Sequence, residues 1–168
     1  MPYERMPIRN VSAHFGPRRP AMQFGGDTVQ DLKQIAVWQF NFNELPTPGL
    51  SNLEHVIPTG STILNARLRI ITAFVSSSTT TDLDIGLQTS AGVEIDNDGL
   101  ITVAQATQAT IGVAGAIIDG SSGTPAALVG KIVSGNGELK VTPNVNDLTA
   151  GVGQVIVEYL LPAALPAA

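Results

Sequence analysis

Ser61-Thr-Ile-Leu-Asn-Ala-Arg-Leu-Arg-Ile-Ile-Thr-Ala-Phe-Val75 alternates Leu64, Ala66, Leu68 and Ile70 with Asn65, Arg67 and Arg69. Successive side chains of an extended chain point to opposite faces, so a period of two over this length reads as a long strand with one apolar and one wet face. Thr72 is where it would bend. Upstream, Ala36, Trp38, Phe40 and Phe42 alternate with Val37, Gln39 and Asn41. Downstream, Leu83, Ile85 and Leu87 alternate with Asp82, Asp84 and Gln88. Both read as further half-buried strands, with Trp38 in the core and the two aspartates on a wet face.

Shorter strands are expected at 92–95, 100–103, 111–118, 126–134, 138–142 and 154–161. Turn signals separate them: Asp96-Asn97-Asp98-Gly99, Asp119-Gly120-Ser121-Ser122-Gly123, Gly135-Asn136-Gly137 and Thr149-Ala150-Gly151. Asn136-Gly137 is the clearest hairpin signal, because both residues tolerate the left-handed conformation a tight hairpin needs. The Ala and Gln content of 101–116 could support a helix, but Thr107, Thr110, Gly112 and Gly115 weigh against one. About eight or nine short strands with turns at regular spacing, and no amphipathic helix to cover a parallel sheet, predict an all-β fold. The expected architecture is an antiparallel β-sandwich, jelly-roll-like, over residues 35–161.

Residues 1–34 differ in character. Pro2, Pro7, Pro17 and Pro20 with Gly16, Gly25 and Gly26 interrupt any period, so an extended irregular N-terminal arm is expected, with a short helical turn over 27–33 that Asp27 could cap. Its apolar residues, Phe15, Met22 and Phe24 among them, are too numerous for a solvated tail. Through Gln34 there are five bases and three acids, a charge of +2, whereas the rest of the chain carries four bases and eleven acids, a charge of -7. The imbalance suggests two surfaces with different partners, while the arm is too sparsely charged for a nucleic-acid tail. Residues 162–168 form a short C-terminal tail.

At 168 residues the chain can bury a core, and 43% hydrophobic against 14% charged residues excludes disorder as its general state. No apolar run reaches the roughly 18 residues that would cross a bilayer. The N-terminus lacks the layout of a signal peptide, so folding in a cytoplasm is expected. Cysteine is absent, which removes disulfides, thiolate zinc sites and cysteine nucleophiles together.

Catalysis needs a proton carrier, a nucleophile or a metal cage. The two histidines, His14 in the arm and His55 before a turn, are far apart in sequence, and no Gly-x-Ser-x-Gly elbow is present. Gly130-Lys131 lacks the glycine spacing of a phosphate loop and falls in an expected strand. Glu94, Asp96 and Asp98 imitate the start of an EF-hand, but Gln105 stands where a bidentate glutamate is required, which leaves a weak calcium candidate beside the plainer reading of a tight turn. Asp82 and Asp84 share a face, as paired carboxylates of a hydrolase would. With 5% aromatic residues the chain is poor in the rings on which sugars stack. No enzyme, cofactor, nucleic-acid or membrane role is expected. The apolar stretches 111–118 and 126–133, with few charges, are consistent with subunit contacts, although core strands look the same.

Ile57-Pro58-Thr59-Gly60-Ser61-Thr62-Ile63 leading into ARLRIITAF (66–74), then LDIGL (83–87), GVEIDNDGLI (92–101) and GVGQVIVEYL (151–160), resembles the head-decoration, or cement, proteins of tailed bacteriophages. The resemblance covers roughly 35–161 and rests on the style of strands and turns. It implies a jelly-roll or related sandwich in a small homo-oligomer, a trimer rather than a dimer, that clamps neighbouring major capsid subunits on the outside of a virion made in the host bacterial cytoplasm. In that setting Phe15, Met22 and Phe24 would be apolar anchors, and Arg5, Arg9, Arg18 and Arg19 would meet acidic capsid surface. A receptor- or glycan-binding module of a phage fibre is the alternative, and a carboxylate hydrolase using Asp82, Asp84, Asp96 or Asp98 is a third.

Overall fold

The computed structural model describes residues 33–45, 56–77, 81–144 and 148–162. The arm expected over 1–34, save Lys33 and Gln34, lies outside them. So do the helical turn at 27–33 apart from Lys33, both histidines and all but Pro162 of the tail.

The expected long strand is there, as β2 (Thr62–Ser76), and so is its neighbour β1 (Lys33–Asn41), which a 3-10 turn at Phe42–Glu44 closes. There follow β3 (Leu83–Gln88), β4 (Glu94–Ile101), a one-turn helix α1 (Gln108–Ile111), β5 (Ile117–Asp119), β6 (Glu138–Pro143) and β7 (Leu148–Leu160). They form two antiparallel sheets, ordered β1-β7-β2-β5 and β4-β3-β6. This is the antiparallel β-sandwich that the alternation predicts.

The inward rows pair Trp38 with Val155 and Leu68, and Ala36 with Val157 and Ala66. With Ile85, Leu87, Leu100, Leu139 and Val141 of the second sheet they make one continuous core. Each such large side chain contributes roughly 1.5–3 kcal/mol through burial, which is what the period of two encodes. Phe40 and Phe74 stack with centroids 5.8 Å apart. Gly151 makes room for them: φ there is +140°, and a Cβ would come within 2.1 Å of the Phe74 ring.

Several local expectations are corrected. Leu64 is 40% exposed and Ile63 fully buried, because the pairing with β7 skips Leu64 as a bulge and flips the face. Near Thr72, where a bend is expected, the pairing with β7 shifts register on both sides. Thr149-Ala150-Gly151 is not a turn but the beginning of β7.

Asp96-Asn97-Asp98-Gly99 does not separate two strands over 92–103; it lies within β4. Ile85 faces Ile101 while Leu87 faces Asp96, so two steps on β3 match five on β4 and the surplus forms a bulge. Gly86 accommodates it, since a Cβ there would sit 1.9 Å from the Asp96 carbonyl oxygen. Every residue of β3 is consequently buried, and the wet face expected for Asp84 is covered.

The strand expected over 111–118 is instead α1, a loop and β5. The Asp82 carboxylate, 26 positions upstream, accepts the Gln108 backbone N–H at 3.2 Å and so starts the helix. The strand expected over 126–134 is a run of turns with one bridge, Thr62 to Ile132. Asn136-Gly137 makes no hairpin. The Asn136 side chain accepts the Thr59 N–H at 2.9 Å, and Gly137 pairs with Ile57, so 130–137 runs antiparallel to 57–63.

Candidate functional site

The two outer faces of the sandwich differ in chemistry. On the four-stranded sheet, successive rows across the strands read Ile35, Glu158, Asn65; then Val37, Ile156, Arg67, Asp119; then Gln39, Gln154, Arg69, Ile117. Aliphatic side chains thus share this face with ion pairs. Lys33 Nζ lies 2.6 Å from Glu158, and Arg67 reaches Asp119 at 3.4 Å and Glu158 at 4.0 Å. Hydrogen bonds from the Ser121 hydroxyl and backbone N–H, with Arg67 behind them, hold the Asp119 carboxyl below the usual range.

The outer face of the three-stranded sheet is acidic. Asp84 lies under the β4 bulge, where its Oδ2 accepts the Asn97 amide at 3.2 Å and Asn97 in turn accepts the Thr142 hydroxyl at 3.4 Å. Burial first, then the nearby Asp98 and Asp82 charges, push the Asp84 carboxyl above its ordinary value. Asp96 is pushed up as well, by burial and by its bond with the Asp98 side chain, while its Oδ1 accepts the Asp98 backbone N–H at 3.3 Å. Glu94 is held by Lys140 at 2.7 Å.

These partners decide what the carboxylates can do. Asp82 starts a helix, Asp84 and Asp96 hold a bulge, and Glu94 has an ion pair. Among the described residues no three His, Asp or Glu side chains group to hold a metal ion, so Glu94, Asp96 and Asp98 form no cage. The large hydrophobic residues exposed among the described residues are all aliphatic, with no ring on which a sugar could stack. The expected partner-binding residues Arg5, Arg9, Phe15, Arg18, Arg19, Met22 and Phe24 lie outside the described residues.

What the structure does bring together is the two apolar stretches, which carry one charge, Lys131, between them. Residues 115–119 and 130–133 both line the free side of β2, through Arg69 to Ile117, Arg67 to Asp119 and Thr62 to Ile132. Ile117 and Ile132 are each 67% exposed and Val113 54%. The sequence signal for this edge was the scarcity of charge; which of these residues point outward is set by register.

No protein-family model and no curated protein sequence matches the chain. In fold, it is similar to chains of solved phage capsid structures. Against a chain of the Cyanophage Pam1 capsid asymmetric unit the TM-score is 0.50 at 18% identity, over 94% of this chain and 100% of that one. A chain of the acidic stable capsid of Helicobacter pylori bacteriophage KHP30 gives 0.48 at 14% identity, over 80% and 91%. One from the capsid of Ralstonia phage GP4 gives 0.47 at 16%, over 88% and 93%. At these identities the likeness is one of fold.

Proposed function

We propose that this chain is a structural protein of a phage virion, which binds the outer surface of the capsid and cements neighbouring major capsid subunits. The observation that carries the reading is the fold shared with a chain of the Cyanophage Pam1 capsid along that chain's whole length. The resemblance of the strand and turn segments to cement proteins supports the same role, and the rigid two-sheet body suits a protein that works by contact. In this reading a homo-oligomer, a trimer rather than a dimer, sits on the shell. The N-terminal arm reaches across subunit boundaries, with Phe15, Met22 and Phe24 as anchors and Arg5, Arg9, Arg18 and Arg19 against acidic capsid surface. Binding only the assembled shell, such a protein stabilises it by mass action.

Deletion of residues 1–26 tests this. Co-sedimentation with capsids of the cognate phage should fall to background while circular dichroism reports an intact β-rich body. Unchanged capsid occupancy would overturn the role given to the arm, and a full-length chain that never co-sediments would overturn the reading as a whole.

A further inference from the structure

On the free side of β2, exposed aliphatic side chains coincide with the two cations that have no carboxylate partner among the described residues. Arg67 and Arg69 are neighbours on the same face of β2, but the register supplies them differently. Asp119 stands across from Arg67 and pairs with it, whereas Ile117 stands across from Arg69 and Gln154 flanks it on the other side. Among the described residues, Lys33, Arg67 and Lys140 each have a carboxylate partner, and Arg69 and Lys131 have none. Lys131 precedes the exposed Ile132, and Val113 lies in the loop that leads into β5. Thr62 and Arg69, which mark the ends of the strip, are six paired steps apart once the Leu64 bulge is discounted. That is about 20 Å of edge at ~3.3 Å per residue. Its length is comparable with the side of a standard interface patch of roughly 800 Å². Exposed arginine is also among the residues enriched in interface hot spots.

We infer that this strip, Arg69, Val113, Ile117, Lys131 and Ile132, is a contact between copies of this chain, seated against the acidic segment of β4 on the next copy. The occupant follows from charge. Both unpaired groups of the strip are cations, so the strip laid on its own copy through a two-fold axis would set cation against cation. The strip's mate on the next copy is therefore a different patch, and the surface that complements it is in the chain itself: Asp96 and Asp98, with Val93 63% exposed beside them. The two patches lie on adjoining sides of the molecule. Gly120, directly after β5, packs so closely on β4 that a Cβ would come within 2.1 Å of the Leu100 carbonyl oxygen. The β5 edge of one sheet thus stands beside the β4 edge of the other. A head-to-tail contact between adjoining sides turns each successive copy, as a closed ring requires. This rests on the oligomeric part of the proposed function.

The test is the mass of the isolated full-length chain by sedimentation equilibrium at micromolar concentration, with circular dichroism as the check on folding. The wild-type chain should be a closed oligomer. Arg69→Glu with Lys131→Glu should weaken association at least about 100-fold, since like charges facing across an interface are strongly unfavourable. Asp96→Lys with Asp98→Lys should do the same, as should Ile117→Asp alone. The chain carrying all four charge reversals should regain the wild-type mass, because its two patches are again opposite in sign. A folded wild-type chain that is monomeric at 100-fold higher concentration, reversals that leave the mass unchanged, or a folded fourfold variant that stays monomeric would each overturn the inference. Since no capsid is present in this measurement, a chain that assembles as expected but never binds capsids would overturn the proposed function and leave this contact standing.

Discussion

Asp84 shows how one residue can be read correctly in period and wrongly in environment. Its place opposite the core residues Leu83, Ile85 and Leu87 follows from alternation, but the covering bulge is contributed by a segment about Asn97, thirteen residues later. A carboxylate there has one oxygen bonded to Asn97, and its Oδ1 has no partner among the described residues. Its proton affinity is raised, so the folded chain binds a proton more readily than the unfolded chain, whose value is near 3.8. Ionised Asp84 therefore costs stability at neutral pH, and the cost disappears as pH falls through the raised value toward 3.8. Asp119 has the opposite sign, lending stability that is lost only below 3.8. Asp84→Asn keeps an acceptor for Asn97 and removes the charge. Thermal unfolding should show the variant more stable than wild type at pH 7, by about 1 kcal/mol on the scale of a poorly satisfied buried polar group. The difference should shrink toward pH 4. A difference that grows on acidification would show that the charge is stabilising.

Among the elements, β3 and β4 are where sequence and structure part most instructively. Long strands with a core on one side, β1, β2 and β7, could be read from a period of two, because burial of one face dictates the pattern. The Asp96-Asn97-Asp98-Gly99 segment could not, because its composition satisfies a turn and a bulge equally well. The deciding residue is Gly86 on the neighbouring strand, with no side chain to hold the bulge off. Likewise α1 depends on Asp82 across the fold, and the 126–134 run is held by backbone bonds to residues 61–63 rather than by its own propensity. Gly86→Ala should accordingly push the bulge away and cost about 3 kcal/mol, the upper end for overpacking. Gly135→Ala is the matched control. Its Cβ would meet Thr89 and Ile95 at ordinary contact distances of 3.5 and 3.6 Å, so urea unfolding should show no loss of stability. Equal midpoints for the two variants would mean that β4 does not press on Gly86.

For the molecule as a whole, the connectivity sets both how the candidate surfaces arise and how the chain must fold. The cationic, aliphatic edge could be read only as two apolar stretches with few charges, 111–118 and 126–133, since their meeting along β2 is a property of the sheet and not of either stretch. The strand between β1 and β2 in the larger sheet, β7, is the last in sequence. It pairs with β1 from Lys33–Leu160 to Asn41–Val152 and with β2 from Thr62–Leu160 to Ser76–Leu148. Neither long strand near the N-terminus can reach its place in the larger sheet until residues 148–160 have joined it, and closing loops of that length is paid in chain entropy before any contact repays it. Refolding from urea should therefore run on the order of milliseconds to seconds, apart from proline-limited phases of tens of seconds. A chain ending at Asn144 should show no cooperative unfolding transition by circular dichroism, because β1 and the greater part of β2 would have no neighbour. Refolding within microseconds, or a cooperative transition in the shortened chain, would mean that the body is assembled from local pairs and that β7 is an addition to a sandwich already formed.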